Sequence, residues 1–82
     1  MIVVWNGERV FSLNPKPENM KYVIGKYRAQ GFHTAEVDPP DNEELETWLL
    51  EGVAEAIDGC ETEPDGYCPH GTPSWFLVLG MI

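Results

Sequence analysis

Both cysteines and one of the two histidines stand close together near the end of the chain, in the stretch "DGCETEPDGYCPHGTP" over residues 58–73. Cys60, Cys68 and His70 follow the spacing Cys-x7-Cys-x-His. Thiolate and imidazole are soft or borderline ligands, and three of them on one loop suit Zn²⁺. A structural zinc site takes four ligands, and the fourth would come from Asp58, Glu61 or the distant His33. Glu63-Pro64-Asp65-Gly66 has the composition of a turn, with proline presetting the first corner and glycine accepting a strained exit. That turn folds Cys60 back toward Cys68 and His70. The intervening Pro69 favours extended backbone, so Cys68 and His70 are expected to point to one face.

Other chemistry competes for the same residues. The spacing matches none of the common zinc-finger patterns. A Cys60–Cys68 disulfide is conceivable but suits a reducing compartment poorly. The plainest reading, two buried thiols and a histidine hydrogen-bonded to loop backbone, is favoured over metal, and metal over a disulfide. A catalytic Cys68/His70 pair is the least favoured, because two groups two residues apart on one extended segment would point outward rather than at each other. Glu43, Glu46, Glu51 and Glu55 belong to the wet face of an amphipathic helix rather than to acid–base machinery. There is no phosphate-binding glycine loop and no cofactor motif, so the expectation is a protein that is not an enzyme.

The elements that must carry this loop are legible in outline. In "IVVWNGERVFSL", two β-rich runs flank Asn6-Gly7, which suits a two-residue hairpin turn pairing Trp5 with Glu8, Val4 with Arg9 and Val3 with Val10. Ile2, Val4 and Phe11 then share one face and Val3, Trp5 and Val10 the other, so the first strand belongs at the centre of its sheet. Pro17 opens a helix carrying Met20, Val23, Ile24 and Tyr27 at helical spacing, and Gly31 ends it. Gly25 inside that helix is expected to mark close packing on the sheet. "FHTAEV" alternates as a third strand, with His33 an ordinary half-buried histidine.

After Pro39-Pro40, Asp41 with Glu44 makes a capping-box-like start. Leu45, Trp48, Leu49, Val53, Ala56 and Ile57 continue as an apolar stripe, predicting a helix through about residue 57. In "TPSWFLVLGMI", Thr72 is the expected N-cap, Pro73 the first helical residue and Gly80 the stop of a short apolar helix, although so short an apolar run also fits a buried strand.

Composition sets the limits. Eighty-two residues at 43% hydrophobic content make one domain, a ββαβα portion over 1–57 followed by the cysteine loop and apolar element over 58–82. The expected fold class is α+β: a three-stranded, mostly antiparallel sheet opening with a hairpin, two helices on one face, the Cys/His/Gly/Pro-rich loop, and the short C-terminal helix. The apolar start over residues 1–5 is too short for a signal peptide and no stretch reads as a membrane span, which points to the cytoplasm. Net charge is −9, with all five cations in the first 28 residues and twelve of fourteen acids within 36–65. Phosphate backbones would be repelled by that segment, so direct nucleic-acid binding is not expected.

The stretch over residues 58–80, "DGCETEPDGYCPHGTPSWFLVLG", resembles the C-terminal signature of small uncharacterised prokaryotic proteins, in which D-G-C, E-P-D-G-x-C-P-H-G and P-S-W precede an apolar tail and L-G. The resemblance covers about a quarter of the chain. It implies that loop and tail form one unit, and it implies no activity. The preferred function is a non-enzymatic protein-interaction module with a basic protein partner. The alternatives are a small zinc-binding protein using Cys60, Cys68 and His70, and an acidic mimic of nucleic acid. The apolar run over 75–82 is expected either to fill a gap beside the 45–57 stripe or to pair with a second copy, with a homodimer preferred.

Overall fold

A computed structural model describes all residues, 1–82. It is α+β, with three α-helices, a three-stranded antiparallel sheet and a second sheet of two short strands. The residues group into two units, Met1–Asp38 and Pro39–Ile82. No helix is long and apolar enough to cross a membrane.

In the first unit, β1 (Ile2–Trp5) lies between β2 (Val10–Leu13) and β3 (His33–Glu36), antiparallel to both. All four β1 residues are buried, as expected of a strand apolar on both faces. The hairpin register departs from expectation. Trp5 pairs with Val10 and Val4 with Phe11, so the connection is four residues long rather than two. Asn6 explains the difference. Its Oδ1 accepts from the amides of Glu8 and Arg9, both at 2.8 Å, and its own amide donates to the Arg9 carbonyl at 3.0 Å. An asparagine bonding backbone two and three residues ahead builds its own turn, and Gly7 does not take up a positive φ. The register moves by two residues, which keeps the expected division of faces; a shift of one would have exchanged them.

A 3₁₀ turn over Pro17–Asn19 leads into α1 (Met20–Ala29). Tyr27 meets Phe11 and Phe32 edge-on, with ring centroids 5.4 and 5.9 Å away, and Arg28 Nε donates to Thr34 Oγ1 at 2.9 Å. Those contacts tie the helix to β2 and β3 on the face shared by Val4. On the opposite face, the rings of Trp5 and His33 lie 5.6 Å apart. Gly25 is not a close-packing site: a Cβ there would meet nothing within 4 Å.

In the second unit, α2 (Asn42–Glu51) begins where Asp41 caps it, its Oδ1 accepting from the Glu44 amide at 2.8 Å. It ends six residues earlier than the apolar stripe suggested. Gly52 takes a left-handed conformation (φ 73°) and donates to the Trp48 carbonyl at 3.0 Å. The chain then turns extended as β4 (Ala54–Glu55), which pairs with β5 (Glu61–Thr62). Ala54 and Ala56 are buried at strand spacing, an alternation that the helical stripe had concealed.

The C-terminal element is α3 (Trp75–Val78), a single turn capped by Ser74 rather than Thr72. Ser74 Oγ accepts from the Leu77 amide at 3.3 Å, while Pro73, expected as the first helical residue, is extended and bridges to Tyr67. Behind the helix, Gly80 and Met81 donate to the carbonyls of Leu77 and Phe76, a Schellman ending at the expected glycine. Trp75, Phe76 and Val78 are buried within one copy of the chain, and Phe76 meets Trp48 of α2 edge-on at 6.2 Å.

Candidate metal centre

Two turns with the same backbone pattern carry the chemistry. In the first, the Ala56 amide donates to the Cys60 carbonyl (2.7 Å) and the Gly59 amide to the Ala56 carbonyl (2.9 Å). In the second, the Cys68 amide donates to the Thr72 carbonyl (2.9 Å) and the Gly71 amide to the Cys68 carbonyl (2.8 Å). Each is a three-residue hairpin loop whose last residue must adopt a positive φ, and each supplies glycine there, Gly59 at 88° and Gly71 at 83°. Asp58 and His70 therefore occupy equivalent positions just before the glycine, and Cys60 and Thr72 equivalent positions just after it. Cys68 starts the second turn.

Residues 72–74 bring the two turns side by side. The Ile57 amide donates to the Pro73 carbonyl at 3.1 Å and Ala56 bridges to Ser74, while on the other edge the Ser74 amide donates to the Gly66 carbonyl at 3.0 Å. Ser74 is fully buried, and its hydroxyl donates to the Pro64 carbonyl as well as capping α3. It thereby fastens the 63–66 turn, which Gly66 closes by donating to the Glu63 carbonyl at 3.0 Å. Gly66 has no positive φ, contrary to the strained exit expected of it; a Cβ there would come within 3.2 Å of Thr62 Oγ1.

The result is a four-residue cluster. One ligand atom each from Asp58, Cys60, Cys68 and His70 lies within 4.8 Å of all the others. His70 Nδ1 is 3.2 Å from Cys60 Sγ, 3.7 Å from Cys68 Sγ and 3.2 Å from Asp58 Oδ2, and Cys68 Sγ is 3.3 Å from Asp58 Oδ2. Four atoms each 2.0–2.3 Å from a shared tetrahedral centre would be separated by about 3.3–3.8 Å. Four of the six edges lie within a tenth or so of an ångström of that span, and the two that join Cys60 to Cys68 and to Asp58 are no longer than 4.8 Å. Of the candidates for the fourth ligand, Asp58 joins the cluster, Glu61 lies outside it in β5, and His33 packs on Trp5 in the first unit.

Cys68 and His70 meet through a turn, not through alternation along an extended segment. Pro69 fixes the first corner, and the two side chains converge instead of pointing outward. Convergence on one atom also separates this cluster from a catalytic Cys–His–Asp arrangement. There, thiol and carboxylate would address the two different ring nitrogens. Here both sulfurs and the carboxylate crowd Nδ1, which has one proton or one lone pair to share.

Local electrostatics already favour ligand forms at two positions. Burial opposes ionisation of Asp58, but the Cys60 amide and the Cys68, Thr72 and Cys60 side chains hydrogen-bond its carboxylate and bring its pKa down to about 2. Burial likewise opposes the Cys68 thiolate, yet the Thr72 hydroxyl, 2.8 Å from Sγ, the Thr72 and His70 amides and the His70 ring together lower its pKa. Burial and the neighbouring Asp58 and Cys68 charges push Cys60 up. His70 is raised by its hydrogen bond to Cys68 and by the Cys68 and Asp58 charges. Access is uneven. The Cys68 residue is only 5% exposed, whereas the His70 side chain is 69% exposed.

Thr72 and Ser74 carry roles that sequence reasoning did not assign them. The first orients Cys68 and the second clamps the loop. Their shared signal was the run of small polar residues around Pro73, which a helix-capping reading had absorbed. Comparison with protein-family models, with curated proteins and with solved structures finds no match.

Proposed function

We propose that this is a small zinc-binding, non-enzymatic protein in which Asp58, Cys60, Cys68 and His70 hold one Zn²⁺ as a structural staple. The observation that carries this reading is the convergence of two thiols, a carboxylate and an imidazole nitrogen within 4.8 Å, with four of the six separations suited to the edges of a tetrahedron. Two thiolates with nitrogen and oxygen donors in tetrahedral array select zinc over the harder Mg²⁺ and Ca²⁺. Four protein ligands close the coordination sphere, which is the mark of a structural site rather than a catalytic one. The Thr72 hydroxyl and the Thr72 and His70 amides around Cys68 supply the outer support that ligating thiolates need.

Native mass spectrometry on protein purified without added chelator tests this. One zinc per chain is expected, and Cys68→Ser should abolish its retention. Protein that remains metal-free after incubation with equimolar zinc would overturn the reading.

A second reading, a module for a basic protein partner, draws on α2. Leu49 and Leu50 are 56% and 89% exposed on a helix that also exposes Glu43, Glu46 and Glu51. Association through that helix would weaken as salt rises, and a partner whose affinity ignores salt would count against it.

A further inference from the structure

The two sulfurs of the cluster are placed for a reaction with each other. Both approach His70 Nδ1, and they lie no more than 4.8 Å apart. A disulfide needs about 2.05 Å, so closure demands at most about 3 Å of combined sulfur movement. The turns that carry them are held in register by 72–74, which bonds to Ile57 on one side and Gly66 on the other. Their access differs in a useful way. Cys60 is half-buried, whereas Cys68 is buried and held by the Thr72 hydroxyl.

We propose that Cys60 and Cys68 form a peroxide-responsive pair, with Cys60 the sulfur first oxidised and Cys68 the resolving sulfur. The pairing stands on thiol geometry alone, and the ejection of metal that accompanies it rests on the zinc reading above. Cys60, ionised by its bond to zinc in the loaded protein and by loss of its proton to solvent in the metal-free protein, attacks one oxygen of hydrogen peroxide. The S–O bond forms, the O–O bond breaks, and hydroxide leaves. The Cys68 thiolate then attacks the sulfur of the Cys60 sulfenic acid, forming the S–S bond and displacing a second hydroxide. Two sulfurs have lost two electrons, and the peroxide, after taking up two protons, has become two waters. Only Asp58 and His70 then remain as ligands, too few to keep a structural zinc. The disulfide links the same two turns that the metal linked, so the oxidised loop stays closed.

The test treats zinc-loaded and metal-free protein separately with a small excess of hydrogen peroxide, reading intact mass, non-reducing peptide maps and zinc released to a chromogenic chelator. In both forms the denatured polypeptide should lose about 2 Da and yield a Cys60–Cys68 cross-linked peptide. The loaded form should release one equivalent of zinc in step, and a thiol reductant should restore the mass. Cys68→Ser should stop at a sulfenic acid on Cys60, captured by dimedone, while Cys60→Ser should leave Cys68 unmodified. Gains of about 16 or 32 Da without the cross-linked peptide would overturn the pairing. Oxidation of Cys68 ahead of Cys60 would overturn the order of reaction. Protein that takes up no zinc yet forms the cross-link refutes the zinc reading and supports the pair. Protein that binds zinc but oxidises without cross-linking refutes the pair and leaves the zinc reading standing.

Discussion

β1 and the 58–72 segment are ordered by opposite means. Every residue of β1 is buried, and the strand is paired along both edges. In 58–72, Cys68 is the one buried hydrophobic residue, and order comes from two tight turns, a handful of backbone bonds and four converging side chains. Apolar burial is spread over many contacts and survives the loss of any one of them. A turn-built segment concentrates its stability in a few polar groups, so removing one group has a large local effect.

The sharpest way to break that contrast is to remove the staple. Structural zinc contributes about 10–16 kcal/mol of binding free energy in zinc-finger peptides, although the effect on stability depends on free metal. Chelation, or Cys68→Ser, is expected to lower the melting temperature by about 10 °C or more. Hydrogen exchange should show the amides of 56–72 losing protection while those of β1 keep theirs. Unchanged melting with and without chelator would eliminate the staple, and equal loss of protection in β1 would erase the distinction between the two regions.

The clamp comes next. Ser74→Ala removes a fully buried hydroxyl that bonds the Pro64 carbonyl and caps α3, at an expected cost of about 1–3 kcal/mol. A fall in urea midpoint without a change in slope would report it. Loss below about 0.5 kcal/mol would show that the loop is held elsewhere.

Protons sharpen the comparison further, because the titrating groups with shifted pKa values all lie in the 58–72 segment. Metal must displace protons from Cys60 and His70, whose pKa values are raised. Zinc binding near pH 7 should therefore release at least about one proton, and apparent affinity should rise about tenfold per pH unit for each proton released. Calorimetry in buffers of differing ionisation enthalpy measures this directly, and pH-independent affinity would contradict it. Without metal the sign at acid pH comes from Asp58. Its carboxyl is depressed from 3.8 to about 2, so the stability it contributes is present above 3.8 and is lost as pH falls toward 2. Asp58→Asn should flatten that acid limb.

The smallest effect belongs to the first unit. Gly25→Ala, in an exposed helical position with free space for a Cβ, should stabilise by about 0.5–1 kcal/mol and leave metal binding untouched. Destabilisation would mean that the position is packed after all.

The sequence by itself determined whatever neighbouring residues decide. The Asp41 cap, the stop at Gly80, the central place of an all-apolar first strand and the candidate trio Cys60, Cys68 and His70 were legible because each depends on side-chain type within about one turn or one strand. Short range also misled. The stripe through Val53, Ala56 and Ile57 kept helical spacing past Gly52, and two-residue hairpin chemistry hid the turn that Asn6 builds for itself. Only the tertiary structure decided that Asp58, rather than Glu61 or His33, joins the two cysteines and His70 in one cluster, and that Thr72 and Ser74 support it. The reason lies in the 72–74 segment, which binds Ile57 on one edge and Gly66 on the other. Those pairings join residues eight and sixteen positions apart, and no local propensity encodes which arm will lie between the other two.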